Sequence, residues 1–299
     1  MNSTVPTLGF IGLGVMGGPM CANVARKHAA PVHAFDMNQA ALAEASAAGA
    51  IACQSVAEVA KAADIVFLSL PGGKQVADVC LGDQGLLAAG KAGLVVVDLS
   101  TTGVDEARAV GAKLAQNGML FADAPVARTR QAAQDGTLSI MVGASDTLFA
   151  RVAPLLAYMG SDVTHCGETG CGQVVKLINN TLVFEHVAAL AEMMVVAERA
   201  GVTRETLANA VSKGSGDSFV LRNHGMKAMV PGTFPEKSFP STYVLKDLGY
   251  AIALAESMGV TPRLQKVTEQ YYTSAIEAGL GEKYFPTIIE LIGKKPGAA

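Results

Sequence analysis

The sequence predicts an α/β protein with a doubly wound parallel sheet in its N-terminal part, an all-helical C-terminal domain, and a long helix that joins the two. Three observations lead to this fold class. A glycine-rich turn follows an apolar run near the start of the chain, short apolar runs then alternate with alanine-rich helical stretches up to about residue 164, and helical periodicity alone continues beyond them. We expect a first domain over residues 1–165 and a second over residues 166–299.

The glycine-rich turn predicts a dinucleotide site. Residues 7–18 read TLGFIGLGVMGG and contain the pattern G-x-G-x-x-G at Gly12, Gly14 and Gly17. In a Rossmann fold the first glycine permits the turn from strand to helix, the second lets a pyrophosphate approach the backbone, and the third lets the helix pack closely on the strand. The pattern alone is weak in a chain rich in alanine and glycine. We predict that it holds the cofactor together with Leu13 and Met16, which it encloses.

A carboxylate at the end of the second strand-like run strengthens this interpretation. The run Val32–Phe35 ends at Asp36, at about the 20-residue spacing at which such folds carry the acid that binds a ribose. A carboxylate there repels a 2′-phosphate, so we predict NAD rather than NADP as the cofactor. The alternative is that residues 36–38 form a plain turn.

Six apolar runs predict the strands of a parallel sheet, because helical stretches separate them. They are Leu8–Ile11, Val32–Asp36, Ile65–Leu70, Leu94–Leu99, Leu120–Ala124 and Leu138–Val142. Ligands of such sheets lie at the carboxyl ends of the strands. Residues near the ends of three runs are therefore expected close to the ligand, namely Leu70-Pro71-Gly72, Ser100-Thr101-Thr102 and Asp123-Ala124-Pro125.

The C-terminal part has the periodicity of helices. The segment Val174–Arg199 is apolar nearly all round, which is typical of a helix buried in the middle of a protein. Further helices are predicted over Glu205–Val211, Tyr243–Met258 and Pro262–Ala278, with breaks at Gly214–Gly216 and Val230–Pro240. So many apolar faces in a small domain lead us to expect a homodimer or homotetramer. The tail at Lys294-Lys295-Pro296 is expected to be frayed.

A polar pair on the long helix is the candidate for chemistry. Lys176 and Asn180 follow the glycine-rich segment Gly167–Gly172 and lie four residues apart on one helix face. Burial would lower the pKa of the lysine toward the range useful for proton transfer at neutral pH. The alternative is that Lys176 reaches solvent along its apolar stem and that Asn180 makes a local cap.

Four segments in order resemble the β-hydroxyacid dehydrogenases, the family of 3-hydroxyisobutyrate dehydrogenase and tartronate semialdehyde reductase. They are GFIGLGVMGGPM at 9–20, DAPVARTRQAAQDGTLSIMVG at 123–143, GCGQVVKLINN at 170–180 and KDLG at 246–249. The resemblance covers nearly the whole chain and implies reversible oxidation of a short 3-hydroxy acid to its semialdehyde with NAD(P). It implies that Lys176 is the general acid/base, that Asn180 and Asn179 bind substrate, and that the cofactor is lined by Leu70, Pro71, Thr101 and Lys246.

The second of these segments departs from the family pattern. Where most members have Ser-Gly-Gly, this chain has Ala127-Arg128-Thr129, and sulfolactaldehyde reductase is similar to it there. The guanidinium of Arg128 suits bidentate contact with a carboxylate, sulfonate or phosphate. We therefore predict that Arg128 and Thr129 bind the anionic end of a substrate about three carbons long. The alternative is that Arg128 faces solvent or pairs with a local acid such as Asp135.

Composition excludes several other classes of protein. The 299 residues carry a net charge of −3, and no stretch clusters Lys and Arg with aromatic residues, so we expect no binding to nucleic acid. The N-terminus lacks a basic region, and the apolar segment Val187–Val196 is short and adjoined by glutamates, so we expect neither a signal peptide nor a membrane span. Five scattered cysteines fit no disulfide or metal framework. We expect a cytoplasmic protein without a metal.

Two other functions remain open from the sequence. An imine reductase shares the two-domain plan but usually has another proton donor in place of the lysine, so Lys176 argues against it. A non-catalytic NAD-binding redox sensor would keep the glycines and Asp36 but would not need a polar pair on an apolar helix. The pair at Lys176 and Asn180 therefore favours an enzyme over the sensor.

Overall fold

The computed structural model describes residues 5–236 and 238–293. The chain divides into two compact units, Met1–Lys176 and Leu177–Ala299. The division falls within a helix, some turns after the predicted boundary at residues 165 and 166. The C-terminal tail that was expected to be frayed lies outside the described residues.

The first unit is built on one sheet. Its strands in the described residues are β1 Leu8–Ile11, β2 Val32–Phe35, β3 Ile51–Ala52, β4 Ile65–Leu68, β5 Val95–Asp98, β6 Leu120–Asp123, β7 Val126–Ala127, β8 Leu138–Gly143 and β9 Gly160–Gly167. The sheet order is β3-β2-β1-β4-β5-β6-β8-β7, and β9 pairs with β8. Strands β1 to β6 pair in parallel. The order reverses between β1 and β4, as in a doubly wound Rossmann sheet, so the predicted fold class is confirmed.

One predicted strand has the opposite direction. The run Leu138–Val142 was expected to join the parallel sheet, but β8 pairs antiparallel with β6 and β7 and parallel with β9. The chain turns back before β8 at Gly136, which ends the preceding helix with φ of 69°, a left-handed conformation that glycine adopts without strain. Strands β3, β7 and β9 were not predicted. The first two have only two residues each, too few for a recognisable pattern.

Helices cover both faces of this sheet. They are α1 Gly17–Lys27, α2 Gln39–Ala47, α3 Val56–Ala62, α4 Gly73–Leu81, α5 Leu86–Ala89, α6 Val104–Ala115, α7 Arg130–Asp135 and α8 Asp146–Leu156. Alternate strand residues enter two separate apolar clusters: Val95 and Val97 of β5 belong to one, and Val96 belongs to the other. Strands buried on both faces read as continuous apolar runs, which is why most of them could be found in the sequence.

The second unit is helical. It holds most of α9 Cys171–Arg199, then α10 Arg204–Val211, a π-helix Leu221–Met229, α11 Ser241–Ser257, α12 Arg263–Glu277 and a 3₁₀ helix Phe285–Glu290. Aromatic rings form much of its core: Phe184 of α9 packs edge-on against Tyr272 and Phe285. Nδ1 of His224 lies 2.6 Å from the Tyr284 hydroxyl, and burial lowers the pKa of this histidine to about 4. His224 is therefore neutral at ordinary pH.

The long helix α9 is buried on one face only. Its buried residues recur at helical spacing and include Leu177, Phe184, Val187 and Met194, whereas the opposite face is exposed and also apolar. The prediction of a helix buried all round is therefore wrong. By length and composition alone, α9 is long and apolar enough to cross a membrane. The sequence analysis considered only its central segment Val187–Val196, which is too short to do so. The core helices of soluble proteins meet the same criterion, so this property does not decide between the two environments.

Candidate active site

The glycine-rich turn has the geometry that a dinucleotide needs. Gly12 has φ of +92°, and a Cβ there would lie 2.2 Å from the Ser69 carbonyl oxygen, so the turn admits only glycine. A Cβ on Gly17 would lie 2.1 Å from the Gly12 carbonyl oxygen, which shows how closely α1 approaches β1. A Cβ on Gly14 would meet nothing within 4 Å. The backbone at Gly14 thus borders open space, as it must where a pyrophosphate approaches.

Asp36 lies directly against this turn. Its Oδ2 accepts a hydrogen bond of 2.6 Å from the Leu13 N–H, and its Oδ1 accepts one of 2.7 Å from the Asn38 N–H. The carboxylate therefore holds the glycine-rich loop at the carboxyl end of β2. Carboxylate oxygens can accept further hydrogen bonds, so these contacts leave capacity for a ribose hydroxyl. The residues present at both positions fit NAD.

A buried carboxylate anchors the start of α9. Asp123, at the end of β6, accepts hydrogen bonds of 2.6 Å from the Gly170 N–H and 2.8 Å from the Gln173 N–H. Gly170 directly precedes α9 and Gln173 lies in its first turn, where backbone N–H donors lack intrahelical partners. Burial raises the pKa of the Asp123 carboxyl, and the two hydrogen bonds oppose that rise. A Cβ on Gly172 would lie 2.8 Å from Asp123 Oδ2, which explains why a glycine is present where α9 approaches this carboxylate.

Gln173 connects this helix to the loop after β5. Its amide nitrogen donates to the Ser100 carbonyl at 2.8 Å, and its amide oxygen accepts from the Thr102 N–H at 3.1 Å. The Ser100 hydroxyl in turn accepts from the Leu70 N–H at 2.9 Å, at the end of the β4 segment. The network thus joins the loops around Leu70 and Thr101, both predicted to line the cofactor, to the helix that carries Lys176.

Lys176 and Asn180 lie on the buried face of α9. The lysine is 8% exposed and the asparagine 7% exposed, so the alternative that Lys176 extends into solvent does not hold. One helical turn separates the two residues, and Gln173 lies almost one turn before Lys176. The face therefore presents an amine and an amide side by side on a helix whose start is held by buried hydrogen bonds.

Within the second unit, Asn180 belongs to a polar cluster. Its amide nitrogen donates to Asp247 Oδ2 at 2.7 Å, and its amide oxygen accepts from Asn179 at 3.1 Å. Asp247 is 2% exposed, and its other oxygen lies 3.2 Å from the Lys246 ammonium. That ammonium is also 5.7 Å from the ring centroids of Tyr243 and Tyr250. These contacts orient the Asn180 amide, and its second N–H has no acceptor among the described residues.

Arg128 has local partners. Its guanidinium donates to Asp162 Oδ2 at 2.7 Å, to the Ser161 hydroxyl at 3.0 Å and to the Thr137 carbonyl. The local acid that pairs with Arg128 is thus Asp162 rather than Asp135. Contact of the guanidinium with a substrate anion stays a prediction. The backbone at Arg128 has φ of 86°, the one positive value on a non-glycine residue among those described. Thr129 caps α7 by accepting from the Ala132 N–H.

Two family models match consecutive parts of the chain. Residues 7–167 match the NAD binding domain of 6-phosphogluconate dehydrogenase, and residues 170–292 match a domain described as the NAD-binding of NADP-dependent 3-hydroxyisobutyrate dehydrogenase. A 2-(hydroxymethyl)glutarate dehydrogenase of Eubacterium barkeri is 36% identical over 98% of this chain and 96% of the relative. The chain belongs to the β-hydroxyacid dehydrogenase family.

Other relatives agree with this assignment. A 2-hydroxy-3-oxopropionate reductase of Escherichia coli is 33% identical over 91% of this chain and 92% of the relative. A solved structure of 3-hydroxyisobutyrate dehydrogenase from Mycobacterium tuberculosis with L-serine has a TM-score of 0.88 at 29% identity, and the match covers 97% of this chain and all of that one. As a β-hydroxyacid dehydrogenase, the chain is an NAD-dependent oxidoreductase of hydroxy acids or their semialdehydes.

Three residues of this β-hydroxyacid dehydrogenase were not assigned a role from the sequence: Asp123, Gln173 and Asp247. Each lies within a segment that resembles the family, but its partner is distant in sequence; Asp123 and Gln173 are 50 residues apart. A signal for Asp123 was present, because this acid lies near the carboxyl end of the predicted strand Leu120–Ala124, where ligands are expected. No local pattern pairs it with the helix.

We expect Gln173→Met to lower both stability and turnover. The variant keeps an unbranched side chain but leaves the Thr102 N–H and the Ser100 carbonyl buried without this partner, which should lower the free energy of unfolding by about 2–4 kcal/mol. Displacement of the helix that carries Lys176 should lower kcat by roughly ten-fold or more. Urea titration and steady-state kinetics measure the two effects.

Leu114→Ala is the control for this prediction. Leu114 is fully buried on α6, and its truncation should cost about 2–5 kcal/mol without touching the network. If both variants lose turnover in proportion to stability, the network has no positioning role.

Proposed function

We propose that the chain catalyses the reversible NAD(H)-dependent oxidation of a short 3-hydroxy acid to its semialdehyde, with Lys176 as the general acid/base. The observation that carries this proposal is the burial of Lys176 beside Asn180 on the anchored face of α9. A charged amine is costly to bury, so its place on this face is best explained by chemistry. The imine reductase alternative is disfavoured for the same reason, and nothing in the fold favours the non-catalytic sensor.

In the proposed chemistry, Gly12, Gly14 and Asp36 would hold NAD, which would supply the acceptor for the hydride of the hydroxyl-bearing carbon. The neutral amine of Lys176 accepts the hydroxyl proton in this direction. In the reverse direction the Lys176 ammonium donates a proton to the carbonyl oxygen. The free N–H of Asn180, oriented by Asp247, donates to the same oxygen as negative charge develops on it.

The names of the relatives suggest a common substrate core. 3-Hydroxyisobutyrate, 2-(hydroxymethyl)glutarate and L-serine each carry a hydroxymethyl group on the carbon next to a carboxylate. They differ in the third substituent on that carbon. We propose that this chain acts on a substrate about three carbons long with a strong anionic end, because Ala127-Arg128-Thr129 replaces the Ser-Gly-Gly of most members. Contact of Arg128 or Thr129 with that anion stays a prediction.

A substrate panel tests the proposal. We expect kcat/KM with NADH to be higher for sulfolactaldehyde than for methylmalonate semialdehyde, with succinic semialdehyde as a second carboxylate. Equal or reversed preference would overturn the proposal that the enzyme prefers a sulfonate, but it would leave the proposed hydroxyacid dehydrogenase activity unchanged. No turnover of any of these aldehydes, nor of 3-hydroxyisobutyrate, 2-(hydroxymethyl)glutarate or serine with NAD, would overturn the proposed activity itself.

Other properties expected from the sequence are kept as proposals. We propose a cytoplasmic protein that binds neither nucleic acid nor membrane, on the basis of its composition and charge. We also propose that it forms a homodimer or homotetramer. The exposed apolar face of α9 supports self-association, because monomeric proteins rarely expose a long apolar patch.

A further inference from the structure

Two cysteines flank the turn that leads into α9. Cys166 lies near the end of β9, and Cys171 is the first residue of α9. These two thiols are half-buried, whereas the other three cysteines of the chain, Cys21, Cys53 and Cys80, are buried. Oxidants in solution react with thiols that they can reach. Cys166 and Cys171 are therefore the thiols of this chain that a dissolved oxidant reaches first.

The turn brings the two thiols close together. A Cβ on Gly167, the residue after Cys166, would lie 3.5 Å from the Cβ of Cys171 and 3.2 Å from its Sγ. The β-carbons of a disulfide are about 3.5–4.5 Å apart, so Cys171 lies at disulfide range from the position next to Cys166. Burial raises the pKa of the Cys166 thiol, and the charges of Asp123 and Cys171 raise it further. The two sulfurs thus already influence each other electrostatically.

The turn between the two cysteines can change shape. Gly167 and Gly170 have φ of +118° and +93°, and glycine moves between such conformations and the ordinary ones without a steric penalty. A hydrogen bond of 2.9 Å from the Cys171 N–H to the Glu168 carbonyl closes the turn. A disulfide from Cys166 itself, one residue before Gly167, requires a shift on the order of 3.8 Å, the distance between consecutive Cα atoms. The two glycines allow such a shift.

The same turn holds the start of α9 in place. The Gly170 N–H donates to Asp123 at 2.6 Å, and Gly170 directly precedes Cys171. A bond that draws Cys171 toward Cys166 therefore moves the donor that this carboxylate binds. Lys176 follows five residues later on the same helix, and the position of its amine depends on how the helix starts. Oxidation of the two thiols is thus coupled to the residue that we propose as the general acid/base.

We propose that Cys166 and Cys171 form a redox modification site, at which hydrogen peroxide converts the two thiols into an intramolecular disulfide that lowers turnover. One sulfur attacks the peroxide; an S–O bond forms, the O–O bond breaks and water leaves. The other sulfur then displaces the hydroxyl group as a second water, and the S–S bond forms. The two electrons that the sulfurs lose reduce the peroxide to water, and a dithiol such as dithiothreitol reverses the change. The effect on turnover rests on the proposed function, whereas formation of the disulfide does not.

Peptide mapping of the full-length chain tests the site. Trypsin releases both cysteines in one peptide, residues 152–176, which contains no other cysteine. After treatment with hydrogen peroxide and alkylation of the remaining thiols, we expect this peptide without alkyl groups and lighter by two hydrogens. The backbone amides of residues 170–176 should also exchange hydrogen faster, because the Gly170 N–H has left Asp123. If peroxide gives no link between these two cysteines, or links either of them to another cysteine instead, the proposal is overturned.

Steady-state kinetics measure the consequence for turnover. We expect peroxide to lower kcat by roughly ten-fold or more in the wild type and in Cys53→Ser, the control that lacks a buried thiol, with recovery after dithiothreitol. The double variant Cys166→Ser/Cys171→Ser should keep its untreated rate. An equal loss in the double variant overturns the proposal, as does a linked chain with full activity and unchanged hydrogen exchange. A reduced chain that turns over none of the substrates overturns the proposed function instead, and the link with faster exchange then still supports the modification site.

Discussion

A Lys176→Ala enzyme will bind NADH and lose kcat by roughly 100-fold or more. Lys176→Met, which keeps the apolar stem, will behave in the same way. Binding persists because the glycine-rich loop and Asp36 are untouched, whereas no other group on the buried face of α9 at this position can exchange a proton with substrate. Fluorescence titration with NADH and steady-state turnover of the best aldehyde measure the two properties.

Lys176→Arg separates charge from proton transfer. A guanidinium keeps the positive charge but does not give up its proton at accessible pH. We expect this variant to remain nearly as slow as Lys176→Ala. If Lys176→Ala keeps kcat within a few-fold of wild type, or if arginine restores most of it, the proton must come from another group.

The second large effect concerns the cofactor. In Asp36→Asn, we expect the ratio of kcat/KM for NADP to that for NAD to rise at least ten-fold, because the carboxylate that repels a 2′-phosphate is gone; like charges placed together in an interface cost several kcal/mol. The amide oxygen can still accept from the Leu13 N–H. The loop should therefore keep its shape, and kinetics with both cofactors measure the ratio.

Asp64→Asn is a matched control for this change. Asp64 also accepts a backbone hydrogen bond, 2.9 Å from the Thr7 N–H, and pairs with Lys91 on the surface. Its substitution should leave the cofactor ratio unchanged. An unchanged ratio in Asp36→Asn as well would show that Asp36 only shapes the loop.

Much of the first unit could be predicted because its signals are local. The strand Leu8–Ile11 was found with its exact bounds, since a strand covered on both faces is a continuous apolar run. The edge strand Ile51–Ala52 is exposed and too short for such a run. The direction of β8 was missed because it depends on which strands pair with it, and an apolar run is the same in a parallel and an antiparallel strand.

The candidate site was predictable where its residues share one element. Gly12, Gly14 and Gly17 lie on one turn, and Lys176 and Asn180 lie on one helix. Contacts between residues that are distant in sequence, such as Asp123 with Gln173, produce no periodic pattern in the sequence. For the same reason sequence could not choose between solvent, Asp135 and substrate as the partner of Arg128. The sequence of α9 is apolar nearly all round, so its pattern likewise does not show which face is buried in the core of the subunit and which is exposed.

The pair formed by Arg128 and Asp162 has a consequence for how substrate arrives. A guanidinium beside a carboxylate presents a dipole, whose field decays faster with distance than that of a lone cation, and the chain as a whole is acidic. This ion pair alone therefore does not attract an anion over a long distance. If Arg128 binds the anionic end of a substrate, as proposed, its preference for one anion over another would act only at contact distance.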